Sequence, residues 1–242
     1  MQGTNIEGRQ FDTAYMFRKG IQIGFPIVLG YIPVALTYGV LASQAGMSLL
    51  ELTMMSALVY AGASQFMGVN MIVANATIIE IVVATFVLNF RHFVMSLSFM
   101  NELRERISLK GRVGLALGLT DETFAVSALN KEEAEQKNGV FFYAAIYITA
   151  YLSWVIGSFV GGLLGEIIPE QLSQSMGIAL YAMFIGLLIP SVKKEVRVGL
   201  IAILAMIINV IASQFVSSGW SIVLGTVIGG LAGVFLLKEK RQ

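Results

Sequence analysis

The stretch TIIEIVVATFVLNFRHFVMSLSFM, residues 77–100, decides the fold. After Glu80 its one charged residue is Arg91, in a polar patch with Asn89 and His92, and the rest is apolar but for Thr85, Ser96 and Ser98. A bilayer's hydrocarbon core takes roughly 20 apolar residues as a helix, and this run has that length. It lacks the period-two alternation that a barrel strand requires. In hydrocarbon every backbone N–H and C=O has to be satisfied within its own segment, so a long apolar run means an α-helix.

Seven further apolar runs flank it, at 20–45, 50–73, 113–130, 139–165, 174–190, 198–216 and 219–237. The chain of 242 residues is 56% hydrophobic and 13% charged, with mean hydropathy +0.77. Soluble domains carry about 25% charge. The expectation is an all-α, polytopic integral membrane protein with six to eight membrane-embedded helices. Residues 1–19 read as a polar N-terminal tail, 20–237 as a single transmembrane domain, and 238–242 as a basic C-terminus.

Composition also excludes. Without cysteine there is no disulfide, thiolate metal site or thiol catalysis. One histidine argues against a histidine-rich metal site, and no cofactor or metal is expected. A net charge of +1 gives no bias toward nucleic acid. There is no P-loop, metalloprotease motif or G-x-S-x-G, and no triad around His92, so an enzyme is not expected.

Basic residues cluster between the runs: Arg18 and Lys19, then Arg104, Arg106, Lys110 and Arg112, then Lys131 and Lys137, then Lys193, Lys194 and Arg197, then Lys238, Lys240 and Arg241. Connections near 46, 75, 170 and 218 carry none. The positive-inside rule therefore places both termini and the basic loops in the cytoplasm. Two topologies compete. If all eight runs cross, the four basic residues of 104–112 fall outside. If runs 50–73 and 113–130 dip in and return, every basic cluster is cytoplasmic and six runs cross.

A faint internal echo at an offset of about 120 residues, of the kind that duplicated transporter halves leave, sets Tyr31 on Tyr151 and Tyr60-Ala61 near Tyr181-Ala182. Two ladders of small residues, Ser153-Gly157-Gly161-Gly165 and Gly225-Gly229-Gly233, put one helix face each within reach of a close neighbour.

Several residues stand out as candidates for a solute site. Arg91 lies deep in an apolar run, where a charge costs roughly 2.5–3.5 kcal/mol to insert, so it must face a partner, a cavity or water. Thr85, Asn89, His92 and Ser96 share one stripe, and Arg91 sits roughly 100° around the helix from His92. Arginine's planar fork suits a carboxylate, and His92 is a candidate for proton coupling. The alternative for Arg91 is a structural ion pair with Asp121 or Glu122. Thr120-Asp121-Glu122-Thr123 fits a helix N-terminus with Thr120 as its cap, or a site for an ammonium group. Pro26, Gly30 and Pro33 are expected to kink or unwind the first helix and free backbone groups for a ligand. Ser64 and Gln65 add donors and acceptors to the second run, either for solute or as glue between helices.

Tyr60-Ala61-Gly62-Ala63-Ser64-Gln65-Phe66, then Asn89-Phe90-Arg91-His92, then Thr120-Asp121-Glu122-Thr123-Phe124-Ala125 resembles the AzlC-type branched-chain amino-acid permease family, the LIV-E exporters. Gly30-Tyr31-Ile32-Pro33 is similar to that family's opening motif, and the likeness runs from about 20 to 237. Phe90 departs from it, standing where leucine is expected. The resemblance implies export of valine, leucine, isoleucine and toxic analogues such as azaleucine across the bacterial cytoplasmic membrane. It also implies a small companion membrane protein of the AzlD type. In that setting Arg91 takes the substrate carboxylate and Asp121 or Glu122 the ammonium, with Ser64, Gln65 and Asn89 nearby. Two other readings remain: a membrane-embedded scaffold for a transport subunit, and a transporter of another small amphipathic solute.

Overall fold

The first helix, α1 (Thr13–Gln44), runs unbroken through Pro26 and Pro33 in the computed structural model, which describes residues 12–136, 138–169, 171–172, 175 and 178–238. Arg9, Lys137, Lys240 and Arg241 lie outside the described residues. The expected unwinding at Pro26, Gly30 and Pro33 therefore does not occur. Each proline removes one intrahelical bond, and close packing along the rest of the helix holds it together.

That packing is against α7 (Gly139–Leu164). A Cβ on Gly20 would strike the Phe142 carbonyl and Ala145, and one on Gly24 would press on Ile146. Gly157 lies against Ala35, Gly161 against the Leu36 carbonyl, and Gly165 against Ser43. The Ser153–Gly165 ladder thus mates with the Gly20–Gly39 face of α1. The paired residues rise together along both helices, so α1 and α7 run parallel. Gly20 with Phe142, Gly24 with Ile146, and Ala35 with Gly157 all share one sequence separation, close to the offset of the internal echo.

Runs 50–73 and 113–130 are each broken in the middle. The first comprises α2 (Leu49–Val59) and α3 (Gly62–Val73). Tyr60 between them is left-handed, at φ 43° and ψ 46°. Such a conformation costs an ordinary side chain about 1–2 kcal/mol and turns the chain sharply. α2 descends antiparallel to α7, with Ser56 on Ser158 at 2.7 Å and the Tyr151 hydroxyl on the Ala57 carbonyl at 2.9 Å. α3 then climbs back along α2. Gln65 Nε2 donates to Ser56 at 2.8 Å, Gly68 faces Met55, and Phe66 meets the Tyr38 ring at 5.8 Å. Run 50–73 is a hairpin that enters and leaves at one end of the molecule.

The helix α4 (Ile78–Glu102) then runs the full length, antiparallel to α7, and brings Phe99 to the Tyr143 and Tyr147 rings. α5 (Leu109–Ala116) rises from that end, taking Gly111 past Val140 and Gly118 to Tyr147. α6 (Asp121–Leu129) goes back down. Ser127 meets the Tyr147 hydroxyl at 2.8 Å, and Tyr143 donates to the Asn130 carbonyl at 2.8 Å. Run 113–130 is thus a second hairpin, entering from the opposite end. A short 3-10 helix at Lys131–Glu135 latches this end through Lys19–Glu133 (2.6 Å), Arg106–Glu135 (2.6 Å) and Lys131–Glu102.

With both hairpins folded back, the Lys19, 104–112 and Lys131 clusters gather at one end. Helices α1, α4 and α7 are long and apolar enough to cross a membrane. Beside them lie α8 (Ile178–Lys194), α9 (Val196–Ala212) and α10 (Ser218–Lys238). The Gly225-Gly229-Gly233 ladder packs α10 on Asn209, Ala205 and Ile201 of α9. Ser217, just before α10, hydrogen-bonds Glu80 at the start of α4. The outward face of α4 is apolar, with Phe86, Phe93 and Leu97 more than half exposed, as suits a lipid-facing helix. The protein is an all-α membrane protein.

Candidate functional site

The two hairpin tips meet at mid-depth. One contributes Tyr60, Ala61, Gly62 and Ala63, the other Thr120, Asp121 and Glu122. Tyr31 of α1, Arg91 and His92 of α4, and Trp154 of α7 close the space between them. The space between them is a partly open cavity of about 30 Å³. That is room for a water-sized body.

Local sequence explains how each group is held. Thr120 is an extended N-cap whose hydroxyl accepts the Thr123 amide at 3.3 Å, while its own amide donates to Thr123 Oγ1 at 2.7 Å. This capping box fixes the first turn of α6 and presents Asp121 and Glu122 at its positive end. Arg91 Nη1 reaches Asp121 Oδ2 at 2.8 Å. The Tyr31 hydroxyl donates to Glu122 Oε2 at 2.7 Å. With that proton committed, the 2.6 Å bond between Tyr31 and Thr120 runs from threonine to tyrosine. The Tyr31 ring stands edge-on to Trp154 at 5.4 Å.

Behind the first tip is a buried polar chain. Trp154 Nε1 donates to Gln65 Oε1 at 2.9 Å, Gln65 Nε2 to Ser56 at 2.8 Å, and Ser56 to Ser158 at 2.7 Å. Gln65, Ser56 and Ser158 are fully buried. Ser64 donates to Asn89 Oδ1 at 2.5 Å, tying α3 to α4.

A family profile described as AzlC protein matches residues 26–168. The chain belongs to the AzlC family. It is 36% identical to an uncharacterized membrane protein of Archaeoglobus fulgidus over 74% of this chain and 77% of that one. It is 28% identical to the inner membrane protein YgaZ of Escherichia coli over 74% of each. It is 24% identical to the branched-chain amino acid transport protein AzlC of Bacillus subtilis, over 74% of this chain and 69% of that one. No solved structure matches.

The matched AzlC region contains both hairpins and the whole cavity. Of the residues singled out in the sequence, Arg91, His92, Asp121 and Glu122 come together there. Arg91 and Asp121 form the ion pair that was one of the two readings of Arg91. Ser64, Gln65 and Asn89 sit just behind the wall, bonded to protein partners. Pro26, Gly30 and Pro33 are not on the cavity, though Tyr31 between them is. Tyr31, Tyr60 and Trp154 were not nominated. Tyr31 stands mid-helix two residues before Pro33 and falls on Tyr151 in the internal echo, and those signals could have found it.

Proposed function

We propose that this AzlC-family chain is a secondary transporter that exports branched-chain amino acids across the bacterial cytoplasmic membrane. The observation that carries this reading is the Arg91–Asp121 pair with Glu122 beside it, at the meeting point of two hairpins entering from opposite ends. A zwitterionic solute replaces that internal pair, its carboxylate on Arg91 and its ammonium on Asp121 or Glu122. Each hairpin opens the site to its own side of the membrane, which is the requirement of alternating access. The relative named as a branched-chain amino acid transport protein supports the substrate class. His92, on the cavity wall, is the proposed proton-coupling group.

The basic end faces the cytoplasm, together with both termini, by the positive-inside rule. The small companion membrane protein belongs to the proposal too. Arg91 and Asp121 keep 33% and 29% of their side chains uncovered, and bare charge at membrane depth is costly. A companion helix against α4 would cover them.

The test is efflux of preloaded labelled leucine from cells lacking their own exporters, with this chain alone, with its companion, and with Arg91→Ala. Efflux that needs both proteins and is lost in Arg91→Ala is the expected result. No efflux from a well-inserted pair would overturn substrate or direction. A scaffold role predicts instead that Arg91→Ala lowers the amount of folded protein and leaves efflux per molecule unchanged.

A further inference from the structure

The cavity end of α3 differs from the other helix starts around it. α2, α4 and α6 begin on Ser48, Thr77 and Thr120, each accepting a first-turn amide on its hydroxyl. α3 begins on Ala61, which has no side chain to do so. Among the described residues no acceptor meets the amides of Gly62, Ala63 or Ser64, and the first satisfied one is Gln65, bonded to the Ala61 carbonyl at 2.9 Å. Gly62 and Ala63 line the cavity.

A second observation stands apart from the helix end. Tyr60 is 7% exposed and lines the same cavity, yet its hydroxyl has no hydrogen-bond partner. Arg91 Nε is likewise buried without one. Buried polar groups are almost always satisfied, and exceptions call for a missing partner. Here the orphans are a helix N-terminus, a guanidinium N–H and a hydroxyl, all on residues that line one small cavity. Such a set takes an anion. Asp121 and Glu122 on the facing wall repel an anion with no positive charge of its own, so the ligand is an anion that also carries a cation.

We infer that the amides of Gly62 and Ala63, the Tyr60 hydroxyl and Arg91 Nε form the seat for the carboxylate of an amino-acid zwitterion. The seat rests on the transport reading only for the identity of that amino acid. It makes Tyr60 and the α3 N-terminus binding groups in addition to Arg91.

The experiment measures binding to the purified chain, by thermal shift and titration, of leucine, of isoamylamine (leucine without its carboxylate), and of serine, methionine and phenylalanine. Ala61→Ser supplies the missing cap. It is expected to raise the unfolding temperature of the ligand-free protein and to weaken leucine binding by about ten-fold or more. Tyr60→Phe removes a hydroxyl with no protein partner. It is expected to leave the ligand-free unfolding temperature unchanged and to weaken leucine about ten-fold. Isoamylamine binds wild type and both variants alike. Unchanged leucine affinity in both variants overturns the seat, as does failure of every amino acid in the panel to bind wild type. Binding of serine, methionine or phenylalanine but not leucine, with the same losses in both variants, keeps the seat and overturns the branched-chain assignment.

Discussion

Arg91, in the middle of the long helix α4, holds Asp121 at the tip of the second hairpin across 2.8 Å. The pair joins a fixed wall to an element that has to move if solute is to pass. Asp121→Asn leaves the cation without its partner. Loss of one member of a fully buried pair costs about 3–5 kcal/mol, and the uncovered third of each side chain here brings the expected cost down to about 1–3 kcal/mol. The charge-swapped double variant, Arg91→Asp with Asp121→Arg, is expected to recover stability in a detergent melt. It is expected to remain inactive in leucine efflux, because the solute's two charges then meet the wrong partners.

Gln65 is a lock rather than a wall of the path. Both ends of its amide are used, by Trp154 and Ser56. Gln65→Leu strands the Trp154 N–H, with an expected loss of about 1–3 kcal/mol. The unfolding temperature is the readout. The Michaelis constant for leucine in the folded fraction is expected to stay where it is in wild type.

The α1–α7 contact tolerates no added side chain at Gly161, whose Cβ would run into the backbone of Leu36. Gly161→Val is expected to abolish folded protein, or to cost about 3 kcal/mol or more if the helices separate. Gly30→Ala, where a Cβ meets nothing within 4 Å, is the control and is expected to leave expression unchanged.

The hairpin topology is testable by labelling, since the chain has no cysteine of its own. Glu105→Cys lies at the basic end and Ala74→Cys at the other. An impermeant maleimide added to intact cells is expected to label Cys at 74 and to reach Cys at 105 only after permeabilisation. Labelling of Cys at 105 from outside, with Cys at 74 reached only after permeabilisation, would mean that runs 50–73 and 113–130 cross, and that the hairpins do not form in the membrane.

Much of the fold was legible because hydrocarbon is a severe solvent. Length and apolarity marked each membrane segment, and small residues at four-residue spacing marked the helix faces that pack closely. Arg91 announced a partner by the cost of being alone, and Thr120 announced a cap by the acids that follow it. The breaks were harder to place. Prolines drew attention to α1, where tight packing on α7 keeps the helix whole. The actual break at Tyr60-Ala61 carries no proline, and its left-handed tyrosine is fixed by tertiary contacts that no local pattern encodes. The return of α3 along α2 is likewise a consequence of Gln65 finding Ser56 and Trp154. The basic clusters did contain the answer, since only two returning hairpins bring them to one end.

The most direct test of the central claim, that the meeting point of the two hairpins is the solute path, is leucine counterflow in proteoliposomes. Wild type and Arg91→Ala are reconstituted with the proposed companion protein at matched, folded amounts. The account predicts counterflow by wild type and a loss of at least about ten-fold in Arg91→Ala. Equal counterflow by the two would contradict it, and would mean that the Arg91–Asp121 pair only holds the hairpin in place.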